Sequence, residues 1–152
     1  MPKASVKRLI ECKKEDLIKL VLDIEKYPEF VPFCFDAKVY ENKNEGDLIK
    51  IIADLTIGKG PFKDTYKSDV VFDRNKDTIF VKNIEGPLNH LSNNWIFNDK
   101  KNGITEITFD IDFEIKNKFL NSLMVVSFQF GLEKIADAFQ KRAEELFGSS
   151  KN

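Results

Sequence analysis

Two kinds of side chain in this sequence have the chemistry to attack a substrate: the single imidazole, His90, and the two thiols, Cys12 and Cys34. A thiol becomes a nucleophile when a neighbouring base takes its proton, so a pairing of His90 with Cys34 would be the minimum machinery. No triad-like serine and carboxylate, no metal-ligand spacing and no glycine-rich phosphate loop accompanies His90 in the chain. Strand alternation also puts His90 on the side opposite Leu91, Trp95 and Phe97, which predicts a solvent-facing or structural histidine. Asp110, Asp112 and Glu114 form a second candidate cluster, three carboxylates two residues apart. They alternate with Ile107, Phe109, Ile111, Phe113 and Ile115, so they read as a solvated outer face. The chain therefore offers no catalytic residue and no metal site, and the expectation is a protein that is not an enzyme and carries no cofactor.

What remains is binding. The stretch YPEFVPFC, Tyr27 to Cys34, puts three aromatics, two prolines and a thiol into eight residues. It is too broken by proline to be a long helix, and suits a core plug, a membrane-touching lip or one wall of a pocket.

Composition narrows the partners. At 152 residues, with a formal charge of -1, the chain fits one domain and has no global basic field of the kind that drives binding to a phosphate backbone. The first 19 residues carry six basic side chains against three acidic ones, a mildly positive end. Two cysteines are too few for a disulfide framework, which suits a reducing compartment. No segment reads as a signal peptide or as a bilayer-spanning run. The expected location is cytoplasmic, with any membrane contact peripheral and at the inner face.

The elements follow from periodicity. Ala4–Cys12 reads as a strand and Lys14–Glu25 as a short amphipathic helix that Pro28 stops, with at most another turn of helix before Pro32. From there the period changes from 3.6 to 2. Strands are predicted at Phe35–Asn42, Asp47–Ile57, Phe62–Asp73, Thr78–Asn83, Leu91–Asn98 and Thr105–Ile115. A long helix is predicted at Lys118–Phe147, with Gly131 a bend or a close-packing point, and residues 148–152 as a frayed tail. Hairpin-length connections imply an antiparallel sheet. The predicted architecture is α+β: seven curved antiparallel strands wrapped around a long C-terminal helix, with two short helices after the first strand, all in residues 1–147.

At this point the pattern resembles a known family. IEKYPEFVPFC, then GPLNHLSNNWIF, then IADAFQKRAEELF are similar to the coenzyme Q-binding branch of the START-like (Bet v 1-like), helix-grip, polyketide cyclase-like superfamily, a branch that includes a bacterial ribosome-association toxin. The resemblance falls on Tyr27, Pro28, Phe30, Pro32 and Cys34, and on Gly86, Pro87, Leu91, Trp95 and Phe97. The chain departs where the family has Leu-Pro-Trp and it has Val31, Pro32 and Phe33. The resemblance implies a lipid-binding domain that shelters a polyprenyl quinone (ubiquinone, coenzyme Q) or a related isoprenoid in support of respiration or quinone biosynthesis. Its partners would be that quinone or another hydrophobic small molecule and, transiently, the membrane; the alternative is a ribosome-associated protein that blocks subunit association. Oligomeric state is open.

A carrier of that kind needs apolar walls and few polar groups. The implied ligand-binding residues are Tyr27, Phe30, Val31, Phe33, Phe72, Trp95, Phe97, Phe113, Met124, Phe128 and Phe139; the same spacings also suit plain core. Tyr27, Tyr66, Trp95 and Asn83 are the candidates for a hydrogen bond to a polar head. For the ribosome alternative, Lys59, Lys63 and Lys67 gather around one hairpin, with Lys63 and Lys67 on an outward face.

Overall fold

The alternation over residues 104–115 is the one the backbone obeys: Ile107, Phe109 and Phe113 are buried, while Glu106, Asp110, Asp112 and Glu114 lie half-exposed on the other side. The computed structural model describes residues 3–59, 61–86 and 88–147, with side chains at all of these except 59, 62, 115, 120 and 123–128. Strands β1 (Lys3–Glu11), β2 (Cys34–Glu45), β3 (Leu48–Lys59), β4 (Phe62–Asp73), β5 (Thr78–Glu85), β6 (Leu88–Asp99) and β7 (Ile104–Ile115) build one sheet. Its order is β1-β7-β6-β5-β4-β3-β2, with every neighbouring pair antiparallel. The sheet curves around α2 (Lys118–Phe147), and α1 (Lys14–Leu22) and a 3₁₀ helix (Ile24–Glu29) join β1 to β2.

Strands and helices thus stand where periodicity puts them, with one correction. The first helix ends at Leu22, not Glu25, because the Asp23 N–H turns back to the carbonyls of Lys19 (3.0 Å) and Leu20 (3.3 Å). Pro28 does not stop it; Pro28 sits inside the 3₁₀ helix that follows. The fixed proline φ, about −65°, lies within the 3₁₀ range, so a short turn of this type loses only one hydrogen bond to it. Residues 148–152, expected to fray, and Pro87 of the resemblance lie outside the described residues.

Helix α2 is held by both its apolar stripe and its polar flank. Leu132, Ala136, Phe139 and Ala143 recur at helical spacing and are fully or almost fully buried. Two alanines in that stripe let the helix axis approach the sheet closely. On the flank, α2 side chains satisfy the open edge of β1: Gln129 Nε2 donates to Ser5 O (3.4 Å), Gln140 Nε2 to Leu9 O (3.1 Å), and Glu144 Oε2 accepts from Glu11 N (3.1 Å). Arg8 adds a 3.0 Å ion pair to Asp137. An exposed strand edge invites pairing with another chain, and these contacts close it.

The same contacts fix direction. Ser5 pairs with Asp110 and Glu11 with Ile104, so α2 runs antiparallel to β7, with Gln129 level with Asp110. Eleven helical residues rise about 16 Å and five strand residues about the same, so the first turns of α2 pass the sheet at the level of Phe113.

Candidate functional site

The proline-broken segment is a strap laid lengthwise on α2. Glu29 accepts a 2.8 Å ion pair from Arg142, whose guanidinium lies 5.0 Å over the Phe30 ring. Phe30 meets Phe139 edge-to-face at 5.1 Å, and Tyr27 meets Phe139 at 5.4 Å. Three residues on, the Phe33 ring reaches Gly131: a Cβ on that glycine would stand 3.7 Å from Phe33 Cε2. Phe33 has φ +70°, a left-handed conformation that a bulky L-residue adopts only under constraint. Its carbonyl accepts from Gly58 N–H at 2.9 Å, tying the end of the strap to β3.

Between strap, sheet and helix the inner face divides into two clusters. The larger contains Phe72, Trp95, Phe97 and Phe139, with Tyr27, Phe30 and Val31 packed on it. Trp95 stacks on Phe109 at 4.2 Å and meets Phe139 edge-to-face at 5.1 Å. These seven expected ligand-binding residues therefore lie in or against one buried cluster. The smaller cluster is Tyr66, Leu88, Leu91 and Phe113, with Leu55, Ile57, Val81 and Ile111 around it. It lies at the level of the first turns of α2. Of the expected residues only Phe113 belongs to it; Phe33 borders α2 at Gly131, and the side chains of Met124 and Phe128 lie outside the described residues.

The four candidate polar handles separate cleanly. Tyr27 donates its hydroxyl to Val21 O. Trp95 Nε1 donates to Asn93 Oδ1 at 3.0 Å, and Asn93 Nδ2 to Asp110 O at 3.0 Å. Asn83 accepts from Leu91 N–H at 2.7 Å and donates to Leu88 O at 3.4 Å. Tyr66 is 8% exposed, and among the described residues its hydroxyl has no hydrogen-bond partner. Burial pushes both phenols, Tyr27 and Tyr66, far above the usual tyrosine value. Asn93 and Arg142 were not singled out from sequence. For Asn93 the signal existed, since it is the one polar residue on the inward parity of β6 between Leu91 and Trp95.

The reactive groups do not meet. Cys34 is buried inside, and its thiol is pushed up to about 11 by burial; burial, then Asp16 and Glu144, do the same to Cys12. Thiols held protonated are poor nucleophiles. His90 lies on the outer side, 3.0 Å from Asp112, which also faces Lys3 at 3.8 Å. Asp110 accepts from Ser5 Oγ at 2.5 Å, and Asn89 Nδ2 donates to Glu114 at 2.7 Å. Asp110 and Asp112 line an open groove of about 420 Å³ with Ser5, Ser92 and Asn94, on the convex side of the sheet.

Residues 10–140 match the family described as polyketide cyclase / dehydrase and lipid transport. The chain belongs to that family. It is 33% identical over 135 residues to a Dictyostelium discoideum protein named coenzyme Q-binding protein COQ10, mitochondrial, covering 86% of this chain and 63% of that one. This family member thus spans less than two thirds of that relative's length. It is 30% identical to the ribosome association toxin RatA of Rickettsia prowazekii, covering 91% of this chain and 94% of the relative. A START superfamily protein from Mycobacterium smegmatis has the same fold, with a TM-score of 0.80, 19% identity, and coverage of 95% and 98% of the two chains. Among the described residues no helix is long and apolar enough to cross a membrane.

Proposed function

We propose that the protein binds a polyprenyl quinone or a related isoprenoid without transforming it, and so supports respiratory electron transport or quinone biosynthesis. The observation that carries this reading is the second buried apolar cluster, Tyr66, Leu88, Leu91 and Phe113, at the level where the first turns of α2 pass the sheet. Walls of that kind suffice for affinity: each buried methylene contributes about 0.8 kcal/mol, so one prenyl unit contributes about 3 kcal/mol before ordering costs. The likeness to a protein named for coenzyme Q binding supports the choice of ligand. Transient membrane contact is supported by Phe119 and Phe130, 69% and 65% exposed, which stand eleven residues apart on one side of α2. Organic extraction of the purified protein followed by mass spectrometry tests the reading. A stoichiometric prenyl lipid is expected, and a protein that stays empty after incubation with quinone-containing liposomes overturns it.

A second reading, docking on the ribosome, draws on the outer face of β2 to β4. There Lys63 lies 4.3 Å over the exposed ring of Phe35 and Lys67 lies 5.0 Å over that of Tyr40. Lysines interleaved with exposed aromatics suit an RNA backbone and its unstacked bases. Cosedimentation with ribosomal subunits that weakens steeply with salt would favour this reading, and one chain can do both.

A further inference from the structure

We infer that the N-terminal half of α2 docks on the surface of an anionic bilayer: Phe119 and Phe130 enter the headgroup layer while Lys116, Lys118 and Lys134 meet lipid phosphates. The inference rests on the membrane contact proposed above, and adds to it the charge class of the lipid and the face that meets it.

The argument begins with the two aromatics. Phe119 and Phe130 are the most exposed large apolar side chains among the described residues, and water is the costliest surrounding for them. Eleven helical residues set them about 16 Å apart on one side of α2, so a flat surface meets both when the helix lies along it. Among the described residues no helix is long and apolar enough to cross a bilayer, so the contact is with its surface.

Charge decides which surface. In a chain with 32% charged residues, residues 115–132 contain two lysines and no carboxylate. The carboxylates that bound this stretch are engaged elsewhere: Glu114 accepts from Asn89 Nδ2 at 2.7 Å, and Glu133 from Gln129 Nε2 at 3.3 Å. Lys134 holds its ammonium 4.7 Å from the centre of the Phe130 ring, so a cation stands beside one of the two aromatics. At the other, Lys118 occupies a first turn that has no acidic residue. Acidic side chains ordinarily offset the partial positive charge of a helix N-terminus, and here lysine adds to it. The exposed ring of Tyr40, on the outer face of the sheet, has a different setting. Its hydroxyl donates to Asp54 at 2.7 Å, and Lys67 above it pairs with Glu85 at 3.4 Å, so the charges there are balanced in place.

Cosedimentation of the whole chain with vesicles tests the inference. One set is phosphatidylcholine alone, the other an equal mixture of phosphatidylcholine and phosphatidylglycerol. Each basic residue near an anionic surface strengthens binding about fivefold, so three should favour the mixed vesicles by on the order of a hundredfold, less as salt rises. Lys116→Gln with Lys118→Gln should weaken binding to mixed vesicles about 25-fold and leave neutral ones unchanged. Phe119→Gln with Phe130→Gln should weaken both by about tenfold or more. All four side chains are exposed, so melting temperatures should move little. Phe130→Trp should be quenched by brominated lipid, and Phe80→Trp, exposed on the convex side of the sheet, should not. Equal binding to the two vesicle types, an equal loss in Lys63→Gln with Lys67→Gln, or equal quenching of the two introduced tryptophans overturns the inference. So does a protein that ignores vesicles and holds polyuridylate through Lys116 and Lys118. Loss of docking in a protein that still binds decylubiquinone overturns this inference alone; docking without decylubiquinone binding leaves it standing and overturns the quinone reading.

Discussion

Gly86 lies against the backbone of Tyr66: a Cβ built on the glycine would stand 2.8 Å from Tyr66 Cβ and 2.9 Å from Tyr66 Cα. The glycine also has φ +136°, where L-residues are strained. Its place in the Gly-Pro motif thus has a local cause, since the chain entering β6 passes directly over the backbone of β4 at Tyr66. Gly86→Ala meets both penalties, and the obstructing atoms are backbone and Cβ, which cannot swing away. Denaturant unfolding should show a loss of roughly 2–4 kcal/mol. A loss below about 0.5 kcal/mol, the range of neutral surface changes, would show that the turn relaxes freely.

The two buried tyrosines make different predictions for the same substitution. Tyr27→Phe breaks a hydrogen bond to Val21 O and leaves that carbonyl short of a partner, so it should destabilise by about 1–2 kcal/mol. Tyr66→Phe breaks none among the described residues, and the Tyr66 hydroxyl is not among the buried atoms left without a partner, so it should change stability by less than about 0.5 kcal/mol. Thermal melts of the two variants side by side give the difference directly; two losses of similar size would mean that the Tyr66 hydroxyl contributes to the fold as much as the bonded Tyr27 hydroxyl does.

Strand alternation carried most of the fold because one face of the sheet is buried and the other is wet, so residues such as Ile107 and Asp110 could not exchange roles without turning the strand over. It could not divide the buried face. Trp95 and Phe113 share the same parity, yet one is stacked in the core and the other faces the second cluster. That difference depends on how far along β7 the helix comes down, which Gln129, Gln140 and Glu144 decide through contacts more than 120 residues away in the chain. Long-range polar contacts leave no periodic trace.

Both thiols should behave as inert groups in the native state. Their folded values, about 11, stand above the ordinary 9.0, so each binds its proton more tightly folded than unfolded. Below pH 9 both states are protonated and the contribution to stability is complete. As pH rises from about 9 to about 11 the unfolded chain releases protons that the native one keeps, and stability falls. Alkylation by iodoacetamide at pH 8 should be slow in the native protein and fast in urea. Rapid native labelling of Cys34 would show that its side of the sheet is open to solvent, against the buried setting assigned to it.

The strap makes a prediction of the opposite pH sense. Hydrogen bonding from Arg142, then the charge of Lys26, holds the Glu29 carboxyl below the usual carboxylate range, while Arg142 keeps Phe30 covered. A depressed carboxyl contributes above its unfolded value, near 4.5, and its contribution disappears as pH falls through the lower folded value. Amide exchange over residues 26–36 should therefore be constant from neutral pH down to about 4.5 and, after correction for intrinsic rates, rise only in stronger acid. Glu29→Gln should remove that acid step while changing the melting temperature little, since the carboxylate is exposed. Arg142→Ala should do more, because its guanidinium also covers an aromatic ring and its Nε is buried without a partner. A loss of about 1–2 kcal/mol is expected, with faster exchange across the whole strap at neutral pH. Unchanged exchange in Arg142→Ala would mean that the prolines and the Phe33–Gly131 contact alone keep the strap on the helix.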